Sequence, residues 1–366
     1  MKNMFTGSTI MVTGGTGSWG QELTKQLLSN YAPREIRIYS RGELNQVKMK
    51  RAFDDRRLVF YIGDVRDKER LNICTKDVDY FFHLAALKHV PVCEENPWEA
   101  VSTNIIGTQN AIEATIQNNV KKFIDVSTDK AVDPYNLYGI TKACGEKLVI
   151  AANNNTTSTN FVCIRGGNVL GTNGSVIPLF KEQIERLNEI TITSDEMTRF
   201  LMRIEDAITL LLFSSMHTYG GETVVMKMPS CRIIDLAQVM IDRLGNKSTE
   251  IKHIGIRPGE KLHEVLVSKY DARNIVDKEQ YFIILPNIPV QTIRDNYKKT
   301  DVIEIENEYS SLKKPMMTYE ELESMLEKGG WLATDGITNI EAYLKTIDKE
   351  TLENIFQKEG WIKQNS

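Results

Sequence analysis

The residues best suited to chemistry stand together in the stretch 127–142, which reads STDKAVDPYNLYGITK. This stretch follows the apolar run at 123–126, which predicts a buried strand. The segment 127–130 (STDK) at the end of that strand supplies hydroxyls, a carboxylate and an amine. Tyr138 and Lys142 are four residues apart on a predicted helix and therefore share one face. Such a set of groups can transfer protons beside a hydride-carrying cofactor.

The same pattern has simpler explanations. Tyr-x-x-x-Lys is a short pattern that arises by chance, and a polar loop followed by an amphipathic helix would look alike. Lys130 could also serve only as a salt-bridge partner of Asp129 or Asp133. The chemical interpretation therefore depends on whether the rest of the chain builds a site for such a cofactor.

A glycine-rich segment near the start of the chain provides that site. Residues 13–20 (TGGTGSWG) lie between a predicted strand at 9–13 and a predicted helix at 21–29. Their glycines fit the spacing G-x-x-G-x-x-G, in which small residues and a helix N-terminus receive a pyrophosphate. A tight turn without a ligand is the alternative. We assign cofactor contacts here to Gly14, Gly17, Ser18, Trp19 and Gly20.

The end of the second predicted strand, at 35–39, indicates which dinucleotide is bound. An acidic residue at this point grips the ribose 2′-hydroxyl of NAD. This chain has Ser40 and Arg41 instead, and a hydroxyl with a guanidinium suits a 2′-phosphate. We therefore predict NADP. NAD remains an alternative because Glu43 is an acidic residue close to this position.

The strands predicted at 58–63 and 79–84 end in further candidate cofactor contacts, which are Asp64, Val65, Ala85 and Ala86. Asp64 could accept a hydrogen bond from adenine, or it could cap the helix predicted to begin near Lys68. The two alanines would let the cofactor pass close to the backbone. Lys88 and His89 would face the same crevice.

The alternation of strands and helices predicts the fold. Strands at 123–127 and 160–165 bring the number of predicted strands to six, which favours an α/β fold with a Rossmann-like, doubly wound parallel sheet. Ligands bind such sheets at the carboxyl ends of the strands, where all the segments above fall. A long helix is predicted at 96–117, in which Asn104 is expected to bond backbone or water.

The pattern also predicts how the chain divides. Residues 1–167 would form the NADP-binding domain, with 200–224 packing back on it. Residues 168–199 and 225–300 would form a smaller, split α/β substrate domain. Residues 301–366 would be an extension of unknown role, with helices at 319–328 and 349–360 that precede Trp331 and Trp361.

Composition excludes several classes of protein. Of the 366 residues 41% are hydrophobic and 26% are charged, and the net charge of −4 gives no basic surface for nucleic acid. No apolar run approaches the roughly 20 residues of a membrane helix, and no signal peptide is evident. The cysteines are far apart and the histidines never fall at metal-ligand spacing. We therefore expect a cytoplasmic protein without a bound metal.

Laid out together, these motifs resemble the extended short-chain dehydrogenase/reductase superfamily. They look closest to its inverting UDP-N-acetylglucosamine 4,6-dehydratases, which serve pseudaminic acid synthesis. The matching segments span roughly residues 8–300 and are TGGTGSWG (13–20), YSRGEL (39–44), GDVRD (63–67), AALKHVP (85–91), STDKA (127–131), NLYGITK (136–142), GNVLG (167–171), MTRF (197–200) and RPGEKLHE (257–264).

The resemblance implies roles for individual residues. The reacting groups would be Thr128, Asp129, Lys130, Tyr138 and Lys142, with the last two also touching NADP. Contacts to a UDP-sugar are expected from Lys88, Asn168, Ser175, Arg199, Arg257 and Glu260. One departure stands out, because relatives usually carry an aromatic residue where this chain has Gly166, which would loosen the nicotinamide side of the pocket.

The implied reaction begins with oxidation of the sugar at C4, with Tyr138 as base. Lys130 would then remove the C5 proton while Asp129 protonates the leaving 6-hydroxyl. A lysine base must be neutral, so we expect a depressed pKa at Lys130, caused by burial or by the charges of Lys142 and Lys88.

Other readings remain open. A UDP-sugar 4-epimerase or reductase needs no acid/base pair such as Asp129 and Lys130, whereas a 5,6-dehydratase is harder to separate. A catalytically silent NADP-binding protein is a reading from another class. A homo-oligomer, from dimer to hexamer, is expected because helices 96–118 and 137–154 commonly form an interface in this superfamily.

Overall fold

The structure, a computed structural model, describes residues 4–172, 175–257, 259–312 and 316–333. The helix predicted at 349–360 and Trp361 lie outside these residues, as does the part of the predicted extension that follows residue 333. The described β-strands are β1 Thr9–Thr13, β2 Glu35–Ser40, β3 Leu58–Ile62, β4 Tyr80–His83, β5 Lys122–Thr128, β6 Asn160–Gly166, β7 Asn168–Val169, β8 Glu189–Ile192, β9 Thr198–Met202, β10 Thr223–Met226, β11 Ser230–Arg232, β12 Glu250–His253, β13 Val265–Val267, β14 Ile275–Lys278, β15 Tyr281–Ile284 and β16 Tyr309–Ser310.

The described α-helices are α1 Ser18–Asn30, α2 Glu43–Phe53, α3 Lys68–Cys74, α4 Val90–Glu95, α5 Pro97–Val101, α6 Gly107–Gln117, α7 Leu137–Ala152, α8 Val176–Leu187, α9 Ile204–His217, α10 Ile233–Leu244, α11 Gln291–Asn296 and α12 Tyr319–Lys328. Helices α1, α7 and α12 lie where the sequence predicts them, to within a few residues at each end.

A nine-stranded sheet forms the centre of the described chain, in the order β14-β15-β10-β6-β5-β4-β1-β2-β3. The strands from β10 to β3 run parallel, and β15 and β14 add to β10 as antiparallel strands. The chain winds one way from β1 to β3 and the other way from β4 to β6, so a crevice opens between the carboxyl ends of β1 and β4. The predicted Rossmann-like, doubly wound α/β sheet is confirmed.

Both faces of this sheet are covered by helices, which explains why a central strand such as β1 is buried along its whole length. All five residues of β1 are buried. Ile10 and Val12 share one apolar cluster with residues of α1 and α9, whereas Met11 joins another with residues of α3, α6 and α7. Because side chains alternate along a strand, this division places a helical layer on each side.

The helix predicted at 96–117 is interrupted. Pro97 opens α5, and a π-helical turn at Ser102–Ile106 joins it to α6. The wide turn directs Asn104 inward, where its amide donates to the Leu87 carbonyl (2.9 Å) and accepts from the Leu87 N–H (2.8 Å). The expectation that Asn104 bonds backbone is therefore confirmed, and this bond fixes the loop that follows β4.

A second, smaller apolar core lies over the carboxyl ends of the strands. The sheet β11-β9-β7 and the pair β12-β8 pack with α8, α10 and α12 around side chains such as Ile177, Phe180, Leu236 and Leu322. Trp331 closes this core, because its indole packs so tightly on Gly171 that a Cβ there would overlap the ring.

The structure differs from the predicted substrate segment 225–300 in one respect. The hairpin of β14 and β15 belongs to the large sheet, where β15 pairs with β10. Its apolar residues are buried on the central sheet rather than over it. The turn passes through Glu279 with φ of +46°, a backbone conformation that the apolar pattern does not reveal.

Candidate active site

The glycine-rich segment forms the turn from β1 into α1, at the crevice between β1 and β4. Gly14 has φ of +65°, and a Cβ on it would lie 2.9 Å from the Ala85 backbone. A Cβ on Gly20 would lie 2.3 Å from the carbonyl oxygen of Gly15. Only glycines allow this close approach, and the turn leaves the amides at the start of α1 available for a phosphate.

Trp19 lies beside the strand that leads to the predicted substrate contacts. A Cβ on Gly166 would come within 3.2 Å of the Trp19 indole. The indole thus covers the position where relatives are expected to carry an aromatic residue, so the loosening expected at Gly166 does not follow.

The ends of β2 and β3 place two predicted cofactor contacts near each other. A guanidinium nitrogen of Arg41 lies 3.9 Å from the Asp64 carboxylate, which also accepts two N–H groups of the Arg66 guanidinium, at 2.7 and 3.0 Å. Burial alone would raise the pKa of Asp64, but these hydrogen bonds outweigh it and lower the pKa. Ser40 is buried and accepts a hydrogen bond from Gln46.

The suggestion that Asp64 caps the next helix is wrong. Asp67 is the cap of α3, since its carboxylate accepts the Arg70 N–H at 2.9 Å. Val65, another predicted contact, is 5% exposed and belongs to the apolar core beneath the crevice. After β4, Ala85 and Ala86 are half-buried at the crevice, whereas Lys88 and His89 are exposed beyond it.

Tyr138 and Lys142 are positioned by the start of α7. Asn136 caps this helix by accepting the Gly139 N–H at 2.8 Å. Lys142 is 2% exposed, and its ammonium lies 3.2 Å from both carboxylate oxygens of Asp125, a fully buried residue of β5. The lysine is thereby held against the sheet, one helical turn from Tyr138.

Burial and charge act together on these groups. Burial raises the pKa of the Tyr138 phenol, and the ammonium groups of Lys142 and Lys130 and the Thr128 hydroxyl offset part of that rise. Burial would lower the pKa of Lys142, but Asp125 reverses the effect and raises it. A cationic Lys142 beside the phenol favours the phenolate form of Tyr138.

Asp129 and Lys130 meet a third ionisable residue at the end of β5. The Lys130 ammonium lies 3.1 Å from Asp129 Oδ1 and 3.3 Å from Glu264 Oε1. The Thr128 hydroxyl donates to Asp129 Oδ1 at 2.8 Å. The other oxygens, Asp129 Oδ2 and Glu264 Oε2, are buried with no hydrogen-bond partner in the described part of the chain, as is Ser127 Oγ.

This arrangement corrects the expected pKa of Lys130. Burial would lower the pKa of this ammonium, but the carboxylates of Asp129 and Glu264 outweigh burial and raise it. The positive charge expected from Lys142 is engaged with Asp125 instead. The alternative prediction, that Lys130 forms a salt bridge with Asp129 or Asp133, is confirmed for Asp129. No ion pair between Lys130 and Asp133 occurs among the described residues.

The predicted substrate contacts lie on the segments above the sheet. Arg199 on β9 is buried and donates to the carbonyls of Thr198, Lys261 and Leu262. One of its nitrogens lies 3.8 Å from Glu260. Arg257 is exposed, and its N–H donates to Glu260. Arg199 therefore holds residues 260–262 in place.

Asn168 and Ser175 complete that set. Asn168 lies on β7, half-buried beside β9. Ser175 precedes α8, and its Oγ is buried with no hydrogen-bond partner among the described residues.

The sequence reasoning missed two carboxylates of this site. Asp125 lies within the apolar run that predicts β5. An acidic residue at a position expected to be buried could have indicated a buried partner of opposite charge. Glu264 belongs to the RPGEKLHE segment, but nothing in the spacing indicates that it reaches Lys130.

No described helix combines the length and apolar character needed to cross a bilayer. No group of three or more His, Cys, Asp or Glu side chains in the described ranges is arranged to hold a metal ion.

The described residues fit a nicotinamide dinucleotide. The glycine turn has room for a pyrophosphate that a Cβ would fill, and the buried Ser127 hydroxyl at the end of β5 has no partner among the described residues. Beside that crevice stand a phenol with its lysine and an acid–amine pair. The site can therefore move protons next to a bound nicotinamide.

Comparisons with known proteins agree with this chemistry. Over 288 residues, 78% of this chain and 85% of the relative, the chain is 47% identical to the UDP-N-acetylglucosamine 4,6-dehydratase (inverting) of Campylobacter jejuni. Over 333 residues, 88% of this chain and 96% of the relative, it is 40% identical to the UDP-glucose 4-epimerase of Rickettsia canadensis.

A solved structure resembles the whole described fold. The X-ray structure of Pen from Bacillus thuringiensis superposes with a TM-score of 0.84 at 35% sequence identity, covering 90% of this chain and 100% of that one. Residues 10–286 match the family described as polysaccharide biosynthesis protein. With a match that spans most of its length, the chain belongs to this family of polysaccharide biosynthesis proteins, within the extended short-chain dehydrogenases/reductases.

Proposed function

We propose that the chain is a UDP-N-acetylglucosamine 4,6-dehydratase that inverts C5 and yields a UDP-4-keto-6-deoxy-hexosamine. The observation that carries the proposal is the Asp129–Lys130 pair at the end of β5, next to Tyr138. An epimerase needs the phenol but has no use for a second acid and base. The 47% identical relative in Campylobacter jejuni bears the name of this activity.

The first step is proton removal from the sugar 4-hydroxyl by Tyr138. Lys142 stabilises the phenolate through its charge, and Asp125 keeps that charge in place. The hydroxyl of Thr128 or Ser127 can donate to the 4-ketone that forms. A bound nicotinamide would supply reversible oxidation at C4 and reduction at C6.

The second step is loss of water. It requires a neutral amine at Lys130 and a protonated carboxyl at Asp129. This form arises from the Lys130–Asp129 ion pair when one proton moves from the ammonium nitrogen to the carboxylate oxygen. The raised pKa of Lys130 makes this neutral form the less populated one, and the proton that the amine lacks is held by its neighbour rather than lost to solvent. The C5 proton then passes to Lys130, the C5–H electrons form the C5–C6 double bond, and the 6-oxygen leaves as water with the Asp129 proton.

We propose NADP as the cofactor. Ser40 and Arg41 at the end of β2 supply a hydroxyl and a guanidinium where an acidic residue would serve NAD. One contact weakens this preference for NADP. The Asp64 carboxylate lies 3.9 Å from the Arg41 guanidinium and would compete with a 2′-phosphate for it. Titration calorimetry with NADP⁺ and NAD⁺, repeated on Arg41→Ala, tests the choice. Equal affinities would contradict it.

We propose further that the protein assembles as a homo-oligomer. Helices α5 to α7 and the turn that joins α5 to α6 carry large apolar side chains that are exposed in one copy, including Trp98 (70%), Ile106 (45%) and Ile140 (50%). Light scattering after size exclusion tests this proposal, and a single 41.7 kDa species would contradict it.

The decisive experiment is incubation of the purified protein with UDP-N-acetylglucosamine, followed by mass spectrometry and proton NMR. Dehydration predicts loss of one water and a new C6 methyl signal, and the C5 coupling reports inversion. The second candidate is the 4-epimerase, favoured by the relative in Rickettsia canadensis. It predicts unchanged mass and an altered C4 coupling, whereas a 5,6-dehydratase would give an exocyclic alkene without the methyl group.

A further inference from the structure

Glu264 is held by its backbone on both sides. It is 2% exposed, its N–H donates to the Ser311 hydroxyl at 3.0 Å, and its carbonyl accepts the Ser311 N–H at 2.9 Å. The Ser311 hydroxyl also hydrogen-bonds the Thr198 hydroxyl at 2.7 Å. These bonds fix the backbone from which the Glu264 carboxylate projects.

The carboxylate is aimed at the reacting amine. Glu264 Oε1 lies 3.3 Å from the Lys130 ammonium and 3.7 Å from Nε of Arg199, whose other nitrogens are occupied by carbonyls. Asp129 contacts the same ammonium from another side. A buried carboxylate with one unpartnered oxygen is costly to fold, so its place beside Lys130 calls for an explanation.

The segment that carries Glu264 is also hydrogen-bonded to the loop after Lys130. The Lys261 ammonium donates to the carbonyls of Val132 (2.8 Å) and Asp133 (2.6 Å). The Asn136 amide donates to the Gly259 carbonyl at 2.8 Å. These bonds join the loop that follows Asp129 and Lys130 to residues 259–264, so they hold Glu264 at a fixed distance from Lys130.

Resting on the proposed dehydration, we propose that Glu264 is a positioning residue that acts through Lys130. It anchors the amine beside Asp129 and stabilises the ammonium that forms when the C5 proton is removed. Glu264 itself neither gains nor loses a proton in this cycle, so the atom and charge balance of the elimination is unchanged.

The charge of Glu264 sets the pH range in which Lys130 works. The groups facing the amine are Asp129 and Glu264, which raise its pKa, and Arg199, which lowers it, together with the Tyr138 phenol. An opposite charge within about 4–6 Å raises the pKa of an amine by about 1–3 units. Removal of the Glu264 charge should therefore move the alkaline limb of the rate profile to lower pH.

The test compares wild type with Glu264→Gln on UDP-N-acetylglucosamine as a function of pH. We expect the alkaline limb to fall by about one unit or more. We also expect kcat for water loss to fall at least about tenfold through the loss of one anchor, while reduced cofactor still appears at its near-ultraviolet absorbance. The neutral amine becomes more available in this variant, so the rate loss reports positioning and the pH shift reports charge.

Two further variants separate this role from simple destabilisation. Glu264→Asp keeps the charge but shortens the reach, so it should restore the alkaline limb without restoring the rate. Glu222→Gln removes a buried carboxylate at the opposite edge of the sheet, bonded to Tyr219, Gly220 and Tyr297. It should lower the melting temperature and leave the pH profile unchanged.

The possible failures are distinguishable. A wild-type protein that removes no water from the sugar overturns the proposed function and this inference with it. A wild-type protein that dehydrates the sugar, together with a Glu264→Gln variant whose alkaline limb and kcat match wild type, overturns the inference alone. The same holds if Glu222→Gln shifts the profile as much as Glu264→Gln does.

Discussion

Replacement of Asp125 by asparagine offers the sharpest test of the site's electrostatics. Asp125 is fully buried, and both of its carboxylate oxygens lie 3.2 Å from the ammonium of Lys142, which is 2% exposed. Asp125→Asn keeps the shape of the side chain but leaves a buried charge without its partner. Breaking one half of a buried pair costs about 3–5 kcal/mol.

That loss converts into a measurable melting temperature. At roughly 2.1 cal/mol/K of unfolding entropy per residue, a chain of 366 residues should melt about 4–7 °C lower. Burial then lowers the pKa of Lys142 with its main opposing charge removed, so the phenolate of Tyr138 is less stabilised and the proposed oxidation at C4 slows. Calorimetry and the appearance of reduced cofactor measure the two effects.

Two comparisons show whether the reasoning is right. Asp125→Leu combined with Lys142→Met replaces both charges by apolar groups and should recover most of the stability without recovering activity. Asp277→Asn breaks a half-exposed pair with Lys227 and should cost under about 1 kcal/mol. An Asp125→Asn variant that loses no more stability than Asp277→Asn would show that the buried ammonium needs no partner, which refutes the role given to Asp125.

Three further predictions follow from the geometry. Gly14→Ala places a Cβ 2.9 Å from the Ala85 backbone at φ of +65°, so calorimetry should find nicotinamide-cofactor binding weakened at least about tenfold, and unchanged affinity would contradict the turn. Lys130→Ala should let reduced cofactor accumulate with sugar but stop water loss, whereas Tyr138→Phe should stop both, as absorbance and NMR would show. Burial and the Lys142 charge lower the pKa of His83 to about 3, against 6.5 in the unfolded chain. Between these two values only the unfolded chain binds the proton, so the free energy of unfolding falls by up to about 1.4 kcal/mol for each unit that the pH drops. His83→Gln should reduce this pH dependence in urea titrations, and an unchanged dependence would exclude His83 as its source.

Local patterns in the sequence were enough for the sheet and the cofactor turn. Apolar runs at 9–13 and 123–126 predict buried strands because helices cover both faces of the sheet. The spacing of Gly14 and Gly20 predicts the turn, since only glycine permits the backbone contacts seen there. In each case the cause lies within one short segment of chain.

The rest of the site depends on contacts that no local pattern carries. The interruption at Ser102–Ile106 serves the bond between Asn104 and Leu87, which belongs to a different loop. The pKa of Lys130 was expected to fall, and it rises because Glu264 arrives from far along the chain. Long-range partners of this kind, rather than propensities, decide the charge state of a buried group.

The position of Ser311 has a consequence for how the protein matures. The Glu264 N–H bonds the Ser311 hydroxyl, which also bonds the Thr198 hydroxyl, so the proposed water-eliminating groups are supported by contacts between distant stretches of the chain. Contacts of such long sequence separation form late, since loop closure must precede them. A nascent chain that has not yet released residue 311 already carries Tyr138 and Lys142, the pair proposed for the oxidation step, but its Glu264 still lacks the backbone partner that Ser311 provides.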